Sequence, residues 1–366
     1  MKFHAEEFKH DQTEKIGILL VNLGSPDTPD AGSIRRFLKE FLSDHRVIEI
    51  PQFLWQLILN FIILPFRPRK LAPLYQAIWT PEGSPLVSIA EKQKNKLAAL
   101  FAEKSAETGS NDLSFALAMR YGKPDISSAL RQLARNNAHK ILVFPTYPQY
   151  SGTTTASIFD AVSSELGHWR WIPELRFINN YHDQDEHIQA LADSVQAFWQ
   201  SHAKAEKLVM SFHGLPQRNH LQGDPYYCQC HKTARLLAEK LELDETQWLI
   251  TFQSRFGKAE WLKPYTSQSL QELAEQGVKS VDVICPGFSI DCLETLEEIV
   301  VENRDVFLNA GGQNYQYIPA LNDSAENIAA MAHLIEQHIQ GWQAISNPEV
   351  LAKRNSLKSK IVSCKL

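Results

Sequence analysis

Apolar residues in this chain come in short unbroken runs that stop at Gly, Pro or a charged residue, and each run is followed by a stretch with apolar positions at helical spacing. Ile16-Gly17-Ile18-Leu19-Leu20-Val21-Asn22-Leu23 ends in Gly24-Ser25-Pro26, after which Ile34, Phe37, Leu38 and Phe41 recur every three or four residues. A buried strand, a tight turn and an amphipathic helix make the opening half of a parallel βαβ unit. The pattern returns with a strand over 113–119 ending in Arg120-Tyr121-Gly122-Lys123, a helix over 126–133 and a strand over 141–144 closed by Pro145. Further strands are predicted over 208–211, 248–252 and 281–285, and an amphipathic helix over 325–339.

The second half repeats the events of the first in the same order. His213-Gly214-Leu215-Pro216 stands where the first half has Leu23-Gly24-Ser25-Pro26, and Arg255-Phe256-Gly257-Lys258 where it has Arg120-Tyr121-Gly122-Lys123. Pro286 closes a strand as Pro145 does. Three matches in one order argue for two similar α/β domains, with a ligand between the carboxyl edges of their sheets. The repeat also isolates what is not shared. Leu23 occupies the place of His213, and Thr153 that of Glu294, so neither the imidazole nor the carboxylate is required by the common turn or helix start.

One long segment breaks the alternation. Residues 51–86 hold the apolar run Phe53-Leu54-Trp55-Gln56-Leu57-Ile58-Leu59-Asn60-Phe61-Ile62-Ile63-Leu64, stopped by Pro65 and followed by Arg67, Arg69 and Lys70. It is shorter than the roughly 20 residues that span a bilayer. Two readings stay open: an apolar helix with a basic edge resting on a membrane surface, or a core-packing helix in a functional lid.

Composition narrows the class. With 366 residues, 44% hydrophobic, the chain can build two cores, and a formal net charge of −5 gives no electrostatic case for nucleic acid. Five cysteines are an odd number, and Met1 to Glu7 lacks the apolar core of a signal peptide, so a reduced, cytoplasmic protein is expected. Cys228-Gln229-Cys230-His231 has no partner cysteines at the spacing of a closed metal site.

The chemistry gathers at two places. Ser211-Phe212-His213-Gly214-Leu215-Pro216 delivers one imidazole to the carboxyl end of a strand. Asp291, Glu294, Glu298 and Glu302 recur along one face of a predicted helix, with Leu293, Leu296, Ile299 and Val300 on the other. Asp291 with Glu294 also fits a capping box, the plain structural explanation of Glu294. Imidazole with carboxylate suits a divalent first-row metal such as ferrous iron, and histidine also exchanges protons near neutral pH. Gly-x-Ser-x-Gly, His-Glu-x-x-His, Walker and Gly-x-Gly-x-x-Gly patterns are absent from the sequence.

From Ile16 to Ile339 the chain resembles ferrochelatases of the proteobacterial type. The similarity rests on Asn22-Leu23-Gly24-Ser25-Pro26, Tyr147-Pro148-Gln149-Tyr150, the His213 motif, Phe252-Gln253-Ser254-Arg255-Phe256-Gly257, and Cys285-Pro286-Gly287-Phe288 with Asp291-Cys292-Leu293-Glu294-Thr295-Leu296-Glu297-Glu298. The resemblance implies an α/β fold of two similar Rossmann-like, chelatase-type domains, their parallel sheets flanked by helices and a porphyrin cleft between them. The division would be a tail over 1–14, a first domain over 15–172 with the apolar lip, a second over 173–321, a helix over 322–342 packing back on the first, and a basic tail over 343–366.

The implied activity is insertion of ferrous iron into protoporphyrin IX to give protohaem, with release of two protons. His213 and Glu294 would be the catalytic and metal-binding pair, and Asp291 and Glu298 the proton or iron path. Tyr75, Ser84, Arg67, Arg120, Tyr121 and Trp261 would contact the porphyrin, and the lip would give a peripheral membrane contact. Some relatives have a histidine where this chain has Cys292, and some carry a [2Fe–2S] cluster. With only Cys364 in the tail, no cluster and no resident cofactor are expected here. Two alternatives stand beside this: a chelatase for coproporphyrin or sirohydrochlorin, and a haem or porphyrin carrier using His213 as an axial ligand.

Overall fold

Each half of the chain forms a four-stranded parallel sheet, and the two sheets share one strand order. In the first, β1 (Lys15–Asn22), β2 (Leu113–Met119), β3 (Ala138–Pro145) and β4 (Glu174–Phe177) lie in the order β2-β1-β3-β4. In the second, β5 (Lys207–His213), β6 (Trp248–Gln253), β7 (Ser280–Ile284) and β8 (Asn314–Ile318) lie in the order β6-β5-β7-β8. This computed structural model describes residues 14–108, 113–257 and 259–342, with Phe3, Lys353, Ser356 and Leu357. The two expected tails otherwise fall outside the described residues.

The apolar runs become strands with apolar residues on both sides because both faces of each sheet are covered. Along β1, Ile16, Ile18 and Leu20 enter one core while Leu19 and Val21 enter the core on the opposite face. Leu208, Met210 and Phe212 of β5 likewise face away from Val209. The expected boundary at 172/173 is too early: β4 pairs with β3, so the first domain runs on through Phe177. Sequence pattern missed β4 and β8 because each is an edge strand with polar residues at alternate positions.

The last helix of each half crosses to the other half. Helix Asp185–Ser201 follows β4 but buries Ile188, Leu191 and Val195 in the second domain's core. Helix Ala325–His338 follows β8 but buries Ile328, Met331, Leu334 and Ile335 beside Ile16 and Ile18 of the first. This exchange ties the domains together, and Ile290 and Cys292, from the second half, sit in the same first-domain core.

Between helices Ala31–Leu42 and Pro85–Thr108 the lip folds as helix Gln52–Ile58, a π-helical turn Leu59–Ile63 and helix Leu64–Ile78. Pro65 does not stop it: it follows directly on the π-helical turn, and the backbone at Ile63 and Leu64 runs on in helical conformation into the last helix. The core-packing reading holds for one face of this segment, and the other face is exposed. Trp55, Leu59, Leu64 and Tyr75 are buried with Phe37 and Leu38, and the Trp55 indole donates to the Leu42 carbonyl at 2.6 Å. Phe53, Phe61, Ile62 and Phe66 point outward, Phe53 at 82% exposure.

Candidate active site

β5 carries the imidazole to the edge of its sheet, where His213 is paired in register with Gln253 of β6. Its Nδ1 lies 2.6 Å from the Gly214 carbonyl oxygen. A carbonyl only accepts, so Nδ1 is the donor there, a tautomer that leaves Nε2 as the atom able to take a proton or a metal. Trp261 and Phe288 flank the ring, each with its centroid 6.5 Å away. Gly214 is required by close approach: a Cβ there would stand 2.6 Å from the Gln253 carbonyl oxygen and 3.1 Å from the Trp261 ring.

The acidic helix differs from expectation in two respects. It is wound as a π-helix over Glu294–Asn303 before passing into helix Arg304–Asn309, a form that recurs at functional sites. The capping box does not form. The Asp291 N–H donates to Asn322 Oδ1 at 2.9 Å, and the Asp291 carboxylate accepts from Thr295 at 2.9 Å, Tyr317 at 2.6 Å and Asn322 at 2.7 Å. Asp291 is thus a buried, fully engaged brace, which removes it from the expected path and leaves Glu294 without a capping duty.

Glu294 and Glu298 are half-buried and Glu302 is exposed, so the row descends toward solvent. The Ser254 N–H donates to Glu298 Oε1 at 2.7 Å and the Ser254 hydroxyl to Oε2, while Gln253 Nε2 donates to the Glu294 carbonyl at 3.0 Å. Burial holds the Glu298 carboxyl above the ordinary range and Glu294 adds to the rise; the Ser254 bonds and His213 favour the charged form. His213, Glu294 and Glu298 are therefore one electrostatic group.

The first domain supplies the facing wall. Tyr75 of the lip is 8% exposed, and burial, with the charge of nearby Glu294, holds its phenol protonated. Tyr147, two residues past β3, was not singled out as a site residue by the sequence. Its hydroxyl is buried without a hydrogen-bond partner, in the field of Tyr121, Cys292, Glu294 and Arg120. Its sequence signals are its place at the carboxyl edge of the sheet and its membership of the Tyr147-Pro148-Gln149-Tyr150 motif. Arg67 reaches from the lip to the second domain, its guanidinium 4.6 Å from the centre of the Phe256 ring.

Other expected porphyrin contacts fall elsewhere. Tyr121 is 1% exposed, with its ring 5.0 Å from Phe41 and its hydroxyl donating to Asp44 at 2.8 Å, so it is a core residue and no wall of a cleft. Arg120 is ion-paired with the same Asp44 and donates to Ser157. It also lines an open cavity of about 460 Å³ with Arg36, Lys39 and Glu40. Ser84 is buried in the turn that opens helix Pro85–Thr108 and makes no described bond to the acidic group.

Among the described residues no cluster of three or more His, Cys, Asp or Glu is arranged to hold a metal ion. Cys228 and Cys230 stand two apart on helix Tyr226–Lys240, one exposed and one buried, so they do not converge. Cys292 is buried, and burial with the Glu294 charge pushes its thiol up, away from the thiolate form that binds metal. A cavity of about 720 Å³ between Tyr227, His231, Leu243 and Trp248 is lined by none of the site residues.

The Ferrochelatase family model matches residues 15–339. The ferrochelatase of Nitrosococcus oceani is 53% identical over 92% of this chain and 90% of its own length, and that of Herminiimonas arsenicoxydans 52% identical over 97% and 95%. Among solved structures, SirB from Bacillus subtilis with Fe3+ superposes with a TM-score of 0.51 over 89% of this chain and 96% of that one, at 11% identity, a likeness of fold.

Proposed function

The chain belongs to the ferrochelatase family and is a metal chelatase of haem biosynthesis, and we propose that His213, Glu294 and Glu298 form the unit that takes protons from the porphyrin as iron goes in. Ferrous iron and a porphyrin are the substrates. Metallation must remove two pyrrole protons and strip water from the iron. The observation that carries the assignment is the His213 ring, fixed by its Nδ1–H on the Gly214 carbonyl with Nε2 free to accept.

Protons taken at Nε2 pass to Glu298, which burial has made a ready acceptor, and leave by way of exposed Glu302. Glu294 stands beside protonated Tyr75 and Tyr147 and supplies a carboxylate ligand as iron loses its water. Trp261 and Phe288 form the aromatic surface against which the macrocycle lies. Arg67 is the cation within reach of its carboxylates.

Metal insertion by the purified protein, with zinc or ferrous iron and protoporphyrin IX, tests these roles. His213→Ala should lower turnover by about 10²–10⁴-fold with porphyrin binding kept. Glu294→Gln should lower turnover with Tm unchanged, because no capping box is lost. Turnover retained in His213→Ala sinks the assignment.

The exposed lip face, with Phe53, Phe61 and Phe66 and the exposed Arg69 and Lys70, is the peripheral membrane contact of a cytoplasmic enzyme. Among the described residues no helix is long and apolar enough to cross a membrane. Co-sedimentation with anionic vesicles should be lost in Phe53→Ser/Phe61→Ser; equal sedimentation of this variant would rule the contact out.

A further inference from the structure

The two halves can be aligned by their hydrogen bonds. Met119 ends β2 with its N–H on the Pro124 carbonyl at 2.6 Å, and Phe252 near the end of β6 has its N–H on the Pro264 carbonyl at 2.8 Å. The acceptor lies five residues on in the first half and twelve on in the second, so the second half carries seven residues that the first does without. This places Arg120 opposite Gln253, two residues earlier than the motif match with Arg255, and Lys123 opposite Lys263.

The added stretch begins with Ser254, which has a φ of +65°, a left-handed conformation that side chains other than Gly and Asn seldom adopt. That conformation turns both donors of one residue, the N–H and the hydroxyl, onto the two oxygens of Glu298. Gln253, 3% exposed, backs the arrangement: its Oε1 accepts from Ser211 at 2.8 Å and its Nε2 donates to the Glu294 carbonyl. The same stretch brings Trp261 beside His213 and Phe256 beneath Arg67.

We propose that Ser254 is a positioning residue for the reaction: its paired donors fix the Glu298 carboxylate in the row that serves His213. The proposal rests on the role given to Glu298 above, and the two can fail separately. Ser254→Gly keeps the left-handed backbone and the N–H and removes only the hydroxyl. It should lower kcat for metal insertion by about tenfold, the usual scale for a group that orients a functional side chain, with the KM values for metal and porphyrin and Tm unchanged. Glu298→Gln should lower kcat at least as much, and Ser254→Gly added to Glu298→Gln should change nothing further.

An unchanged kcat in Ser254→Gly, with Glu298→Gln affected, overturns the positioning role alone. Effects that multiply in the double variant overturn it too, since Ser254 would then act independently of Glu298. An unchanged kcat in Glu298→Gln overturns the role of Glu298 and the proposal with it.

Discussion

The two domains share a sheet order, a glycine turn after the first strand and a proline-closed loop after the second, yet they treat the same places in opposite ways. In the first half the end of β2 is closed by a satisfied network, in which Asp44 takes Arg120, Tyr121 and Ser157. In the second half the end of β6 holds Glu298 through neutral donors, and Glu294 stands nearby. One domain neutralises its carboxylate, while the other keeps two on the same helix face. The first half also carries the lip, which has no counterpart after β5 beyond the short helix Gln217–Leu221. Duplication thus provided a frame, and the division of labour followed from what was added: an apolar cover on one side, a base and carboxylates on the other.

If the frame is shared and only the additions differ, the two turn glycines should both be intolerant for structural reasons, unlike His213. Gly24 has a φ of +109°, and a Cβ there would fall 1.8 Å from the Tyr121 carbonyl oxygen; at Gly214 the nearest atom is 2.6 Å away. Gly24→Ala should cost about 3 kcal/mol from backbone strain and overpacking together, and Gly214→Ala about 1–3 kcal/mol from overpacking. Urea midpoints with unchanged m-values would check both. A neutral Gly24→Ala would mean that the turns are not equivalent.

Much of this frame was legible in the residues. Central strands such as β1 and β5 carry apolar residues toward both faces because both faces are covered, so the runs Ile18 to Val21 and Leu208 to Met210 stand out. Edge strands β4 and β8 show only alternation over four or five residues, and pattern alone does not separate Glu174-Leu175-Arg176-Phe177 from a loop. The site was legible as types of residue but not as bonds. His213 and Glu294 stood out because the repeat lacks them. Asp291 looked like a member of the acidic row, and only the positions of Tyr317 and Asn322, far along the chain, show that its carboxylate is already engaged. π-winding leaves the spacing of Leu293, Leu296 and Ile299 compatible with an ordinary helix, and a left-handed Ser254 has no signature in the sequence.

The closed network of the first half gives the finest probe of the comparison. Burial pushes the Asp44 carboxyl up, but bonds from Ser157, the Arg46 N–H and Tyr121, with the Arg120 charge, outweigh it and hold it below the ordinary value of 3.8. A depressed folded-state value means that the contribution is complete above the unfolded value and lost as pH falls through the folded one. Stability of the protein should therefore decline as pH is lowered below about 3.8, partly through Asp44. Asp44→Asn, which cannot take up the proton, should flatten that decline by about 1 kcal/mol, the scale of one hydrogen-bonded group. Urea unfolding at steps between pH 5 and pH 3 would show it, and parallel curves for the two proteins would mean that the bonds to Asp44 do not favour its charged form in the folded protein.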